Sequence, residues 1–205
     1  MVGPIGVDLD NTIVSYDNVL FRVALEQKLI GPTDPSGKKA VRDAVRKLPD
    51  GEIKWQKLQS QIYGPRMKEA ELIDSVKDFF YQCRLKSIPV YIVSHKTEFA
   101  NYDTSGTNLR LIAMDWLHEN RFFEPEGIGL DRQKIFFEST RQEKIERIKA
   151  LGCKLFIDDL EETFLEKSFP DEIQKIILDR HGLCAKHPGV KICSSWSEII
   201  EIIFE

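Results

Sequence analysis

The chain has 205 residues, 42% apolar and 30% charged, with a formal net charge of −4 at pH 7. That composition suits a soluble globular protein with one core and room for a small accessory unit. Its mild acidity gives no reason to expect nucleic-acid binding, and no apolar run is long enough to span a bilayer.

The first predicted element is a strand. Ile5, Val7 and Leu9 suit a central strand of a parallel sheet, where both faces are covered. That run delivers Asp8 and Asp10, followed by Asn11 and Thr12. Carboxylates at the end of a buried strand are partly desolvated, which is costly unless a cation or hydrogen bonds compensate. A hard divalent ion such as Mg2+ takes oxygen ligands and needs only one or two carboxylates. The opening Met1-Val-Gly-Pro enters this strand without the basic-then-apolar pattern of a signal segment, so a cytoplasmic location is expected.

Residues 13–66 read as a helical insert. Asn18 to Leu29, Lys38 to Leu48 and Ile53 to Ile62 carry helical patterns, separated by the turn-rich Gly31 to Gly37 and by Pro49-Asp-Gly51. The insert holds ten basic residues against six acidic ones, which suits an anionic ligand, although a solvated helix surface accounts for most of them. Tyr63 and Arg66, beside Gly64-Pro65, are its candidate substrate contacts.

Lys68 to Leu85 carries an apolar helical stripe of Leu72, Ile73, Val76, Phe79, Phe80 and Cys83. A second strand, Ile88 to Val93, leads to Ser94, His95 and Lys96. A hydroxyl at a strand end can donate to developing negative charge, and the two basic residues are candidate binding groups. A polar loop, Tyr102 to Asn108, then precedes a helix over Leu109 to His118. Lys134 to Phe137 makes a third strand, and Ser139 or Thr140 caps the helix that carries Lys144.

Lys154 to Ile157 is a further strand, ending in Asp158 and Asp159. Adjacent aspartates repel each other unless a cation sits between them. Another strand over Ile173 to Leu178, a short one over Val190 to Cys193 and a helix over Ser195 to Phe204 complete the pattern. Cys83, Cys153, Cys184 and Cys193 are spread as reduced thiols would be. Cys184, His187, Cys193 and His181 lack the paired spacing of a zinc site.

The run through Asp8, Asp10 and Thr12 resembles the first motif of the haloacid dehalogenase-like (HAD) superfamily. Ser94, Lys144 and the Asp158-Asp159 pair match its second, third and fourth motifs in order. The resemblance spans Asp8 to Asp159. It implies a Rossmann-like three-layer α/β/α core, residues 1–12 and 67–205, with a mainly parallel sheet and a helical cap at 13–66 inserted after the first strand.

It also implies an Mg2+-dependent phosphatase. Asp8 would be the nucleophile that forms an aspartyl-phosphate, Asp10 the acid and base, and Ser94 a phosphate donor. Lys144 would neutralise charge, with Lys134, Lys149 and Lys154 as rivals for that role. Asp8, Asp10, Asp158 and Asp159 would hold the metal. Asn11, Thr12, His95, Lys96, Tyr63 and Arg66 would contact a small phosphorylated metabolite. A phosphotransferase or phosphomutase would use the same residues, and a non-catalytic ligand-binding protein is the remaining alternative. Oligomeric state is open.

Overall fold

The computed structural model describes residues 3–34, 37–102 and 106–205, so parts of the predicted turn at Gly31 to Gly37 and of the polar loop at Tyr102 to Asn108 lie outside the described residues. In chain order the elements are β1 (Ile5–Val7), β2 (Val14–Ser15), α1 (Asp17–Glu26), α2 (Lys38–Arg46), α3 (Gly51–Tyr63), β3 (Glu71–Leu72), α4 (Val76–Leu85) and β4 (Val90–His95). There follow α5 (Leu109–Glu119), β5 (Ile135–Glu138), α6 (Arg141–Ala150), β6 (Leu155–Asp158), α7 (Glu161–Leu165), β7 (Gln174–Leu178), β8 (Val190–Cys193) and α8 (Trp196–Phe204).

The chain divides into two compact units. One comprises Met1–Val14, Leu72–Lys96 and Asn120–Glu205, the other Ser15–Glu71 and Thr97–Glu119. The first is built on a six-stranded sheet in the order β5-β4-β1-β6-β7-β8. Every adjacent pair in it is parallel. This is the mainly parallel α/β core expected from the near-continuous apolar strands.

Val93, Phe156 and Ile177 of the sheet pack with Ile145 and Ile148 of α6 in one buried cluster. Helices α4 and α8 meet through Phe79, whose ring lies 4.8 Å from that of Trp196 and 6.0 Å from that of Phe204. Val7 is in register with both Ile92 of β4 and Ile157 of β6. From that level β6 runs on to Asp158 and β4 to His95, toward the edge where open parallel sheets place their ligands.

The second unit is helical. Tyr16 and Tyr63 meet edge to face at 4.5 Å, and Trp116 of α5 donates from its indole N–H to the Ala70 carbonyl at 3.1 Å. That indole bond ties α5 to the stretch just beyond the insert.

The helix expected from Lys68 begins only at Val76. Ile73 donates its amide to the Ile13 carbonyl at 3.0 Å, so this part of the chain is drawn into strand pairing. Ser75 then turns at φ 64° before the helix starts. Leu72 and Ile73 satisfied the helical period, but a partner strand claimed their backbone.

Candidate active site

The site forms where β1, β4 and β6 end. The Asp8 amide donates to the Ile157 carbonyl at 2.9 Å, which carries the β1–β6 pairing on to the first aspartate. Asp158 is the last residue of β6 and is fully buried; Asp8 is 5% exposed.

Lys144 lies one turn into α6. That helix is fixed at its start by a reciprocal cap between Thr140 and Glu143, which satisfies amides that would otherwise be orphaned. Buried to 2% exposure, the Lys144 ammonium donates to Asp8 Oδ1 at 2.6 Å and to Asp158 Oδ2 at 2.8 Å. The rival lysines are not in this position: Lys149 and Lys154 are exposed and Lys134 is half-buried.

Burial pushes the Asp8 carboxyl up to about 7. Lys144 opposes that shift, while Asp158 and Asp10 add to it. Burial alone would lower the Lys144 ammonium, but Asp158 and Asp8 together hold it above its usual range. The cluster is therefore short of positive charge.

Asp8, Asp158 and Asp159 each bring a carboxylate oxygen to within 4.8 Å of the other two. Among the described residues this is the one grouping of at least three side chains able to hold a metal ion. Asp8 and Asp158 spend one or two lone pairs on Lys144 and the Leu160 amide, but an ionised carboxylate offers about four acceptor sites. An all-oxygen, partly buried donor set with unspent capacity fits a hard divalent cation such as Mg2+.

Asp10 stands on a tight turn. Asn11 adopts φ 63° and donates its amide to the Val14 carbonyl at 2.7 Å. The Trp196 indole N–H donates to the Thr12 carbonyl at 2.8 Å. The Asp10 carboxylate meets the Lys96 ammonium at 2.9 Å. Two further hydroxyls, Ser94 Oγ and Thr12 Oγ1, are buried and have no hydrogen-bond partner among the described residues. Such groups cost about 1–3 kcal/mol each when left unmet, so their presence at this edge points to a polar ligand.

The other predicted contacts are placed differently. His95 is exposed, and its Nε2 lies 3.1 Å from the Ser139 carbonyl oxygen. Strand alternation puts it on the face opposite Ser94 and Lys96. Tyr63 and Arg66 belong to the helical unit, where Tyr63 packs on Tyr16 and the Arg66 guanidinium is engaged by Glu26 at 3.1 Å and Glu69 at 3.0 Å. Two contributions escaped sequence reasoning: the pairing of Lys96 with Asp10, and the Trp196 bond to the Asp10 turn. For Lys96 a signal existed, because it stands two residues beyond Ser94 and so shares its side of the strand.

A parallel sheet whose central strands end in a lysine-bridged set of aspartates defines the class: an open α/β protein with a buried charged cluster at the carboxyl edge of its sheet. More specifically, the chain has the haloacid dehalogenase-like fold, as comparison with solved structures shows. It is similar to a haloacid dehalogenase-like family hydrolase from Streptococcus pneumoniae, with TM-score 0.58, 15% identity and 98% of each chain covered. A phosphoserine phosphohydrolase-like protein from Francisella tularensis matches with TM-score 0.54 and 11% identity over 99% of this chain and 100% of that one. An L-2-haloacid dehalogenase matches with TM-score 0.54 and 12% identity over 100% and 99%. No protein-family model matches the sequence, and no curated protein matches it.

Proposed function

We propose that the protein is an Mg2+-dependent phosphatase acting on a small phosphorylated metabolite. The observation that carries this reading is the buried Asp8–Lys144–Asp158 cluster with a second carboxylate, Asp10, two residues beyond the first. Asp8 attacks phosphorus as a carboxylate nucleophile and forms an aspartyl-phosphate. As the P–O bond breaks, its electron pair goes to the leaving oxygen, which takes a proton from Asp10. Asp10 then removes a proton from water, the water oxygen bonds phosphorus, and the acyl–phosphate bond breaks to restore Asp8.

Lys144 offsets charge on Asp8 and the transferring group, and Ser94 Oγ donates to a phosphate oxygen. Asp8, Asp158, Asp159 and the Asp10 carbonyl would hold the Mg2+, whose bound charge neutralises phosphoryl oxygens in reactions of this type. The ligand class rests on the net positive insert, and nothing in the charge balance favours nucleic acid or membrane. Among the described residues no helix is long and apolar enough to cross a membrane.

The similar structures include dehalogenases, so halide release from 2-haloacids is the second reading. Against it stand Asp10 and Asp159, carboxylates suited to proton transfer to a leaving oxygen and to metal binding. The test is phosphate release from a panel of phosphorylated metabolites with wild type and Asp8→Asn, alongside halide release from 2-haloacids. Release of phosphate that disappears both with chelator and in the variant is expected. Halide release that survives chelator, with no phosphate from any ester, overturns the phosphatase reading. Phosphate transfer to an added alcohol or sugar in preference to water would turn it into a phosphotransferase.

A further inference from the structure

Among the described residues the buried charged side chains are Asp8, Lys96, Lys144, Asp158 and Asp179. Lys144 serves Asp8 and Asp158. Asp179 accepts amides of its own loop, from His181, Leu183 and Cys184. Lys96 is left, and its ammonium meets the Asp10 carboxylate: Nζ to Oδ2 is 2.9 Å, with the lysine side chain 2% exposed and the aspartate 18%.

Stability does not explain a lysine here. Desolvating an ammonium is expensive, and a well-packed apolar residue in place of a buried ion pair is often neutral or stabilising. What the lysine supplies is direction. Its amide is anchored on the Glu138 carbonyl at 2.9 Å, just beyond β4, so the stem rises from a fixed point of the sheet. The Asn11–Val14 and Trp196–Thr12 bonds hold the backbone of the Asp10 turn. The Lys96 contact holds the side chain itself.

Resting on the phosphatase reading above, we propose that Lys96 is a positioning residue that fixes the Asp10 carboxyl group for proton transfer. It holds the carboxyl group through Oδ2 while that group exchanges its proton. The proton passes from the Asp10 carboxyl group to the leaving oxygen as that oxygen takes the P–O electron pair, and returns from water as the water oxygen bonds phosphorus. The grip survives both states of Asp10, because the carbonyl oxygen of a carboxylic acid still accepts from an ammonium. If Lys96 instead bound the substrate directly, its loss would weaken all esters alike.

Leaving-group dependence separates these roles. An alkyl phosphate needs a proton on its leaving oxygen, whereas p-nitrophenyl phosphate does not. Lys96→Met is expected to lower kcat/KM for an alkyl phosphate by about a hundredfold and for p-nitrophenyl phosphate only several-fold. In an Asp10→Asn background the same change should cost the alkyl ester little more, since no proton donor is left to position.

Circular dichroism and a thermal melt check that the variant folds, and Lys96→Gln, which keeps an N–H donor, serves the same comparison if it does not. Equal losses for both esters, or an unchanged alkyl-ester rate, overturn the role of Lys96 while leaving the phosphatase reading intact. A wild type that hydrolyses neither ester removes the reading itself, and the role of Lys96 with it.

Discussion

The two units differ in where they bury charge. In the sheet unit Asp8, Lys96, Lys144 and Asp158 are buried within a few per cent of completely. In the helical unit the ion pairs lie outside: Arg22 with Glu69, Arg66 with Glu26 and Glu69, and Arg46 with Glu52 all keep a quarter to a half of their side chains in solvent. Exposed pairs form readily and contribute little, so they say little about function. Buried charges are costly to assemble, so a cluster of them at a strand edge needs a purpose other than stability.

The sharpest way to break this contrast is to remove a central buried cation. Lys144→Met leaves Asp8 and Asp158 facing each other without compensation, which should lower stability by about 3–5 kcal/mol in chelator at pH 8. Urea unfolding followed by circular dichroism measures it. A loss no larger than that of a surface variant would mean the cluster is not organised around Lys144.

Next in size is the pH dependence of the same carboxylate. Asp8 is pushed up to about 7 from an ordinary value of 3.8, so the folded state holds its proton more tightly than the unfolded chain does. Its contribution is therefore fully present below the unfolded value and lost as pH rises through about 7. Metal-free wild type should lose stability between those limits, and Asp8→Asn should flatten that part of the profile.

Asp179 makes the opposite case. Burial alone would raise it, but the amides of Leu183, Cys184, His181 and Gly182 hold it below its usual range. Its contribution is present above the unfolded value of about 3.9 and disappears only as pH falls through the lower folded value. Asp179→Asn should therefore lower stability at neutral pH, and its difference from wild type should vanish as pH falls through the acid limb.

Metal binding sharpens the comparison from the other side. A cation that binds only the folded state stabilises by about 2.7 kcal/mol at a hundred times its dissociation constant. Thermal unfolding of wild type should shift upward with Mg2+ and return with chelator. Asp158→Asn should abolish most of that response, because it removes a carboxylate from the centre of the set. A full response in this variant would move the ion elsewhere.

Much of this was legible in the sequence because the relevant signals are local. An apolar run that ends in aspartate can be read at β1 and again at β6, and the helix start at Thr140 with Glu143 three residues later marks the cap that places Lys144. Choosing Lys144 over Lys134, Lys149 and Lys154 needed the fold, because whether a helical lysine points inward depends on which strand ends the helix faces. The Trp196–Thr12 bond joins residues 184 apart in sequence, and no local pattern announces it. The lost first turns of the predicted helix at Lys68 failed for the same reason, since pairing with a distant strand overrode a good local period.

The smallest expected effect tests the other half of the contrast. Arg22 reaches Glu69 from α1 with 53% of its side chain in solvent, and Glu69 is already engaged by Arg66. Arg22→Ala should thus leave the unfolding midpoint within about 2 °C of wild type, because water and Arg66 replace what the second arginine supplied. Raising the salt concentration should shrink even that difference, as exposed pairs are screened. Arg66 bridges two glutamates with only 29% of its side chain exposed, so Arg66→Ala should cost more than Arg22→Ala. If the two variants are equally silent, the helical unit is held by its apolar contacts alone; if Arg22→Ala proves as damaging as Lys144→Met, burial is the wrong measure of which charges matter here.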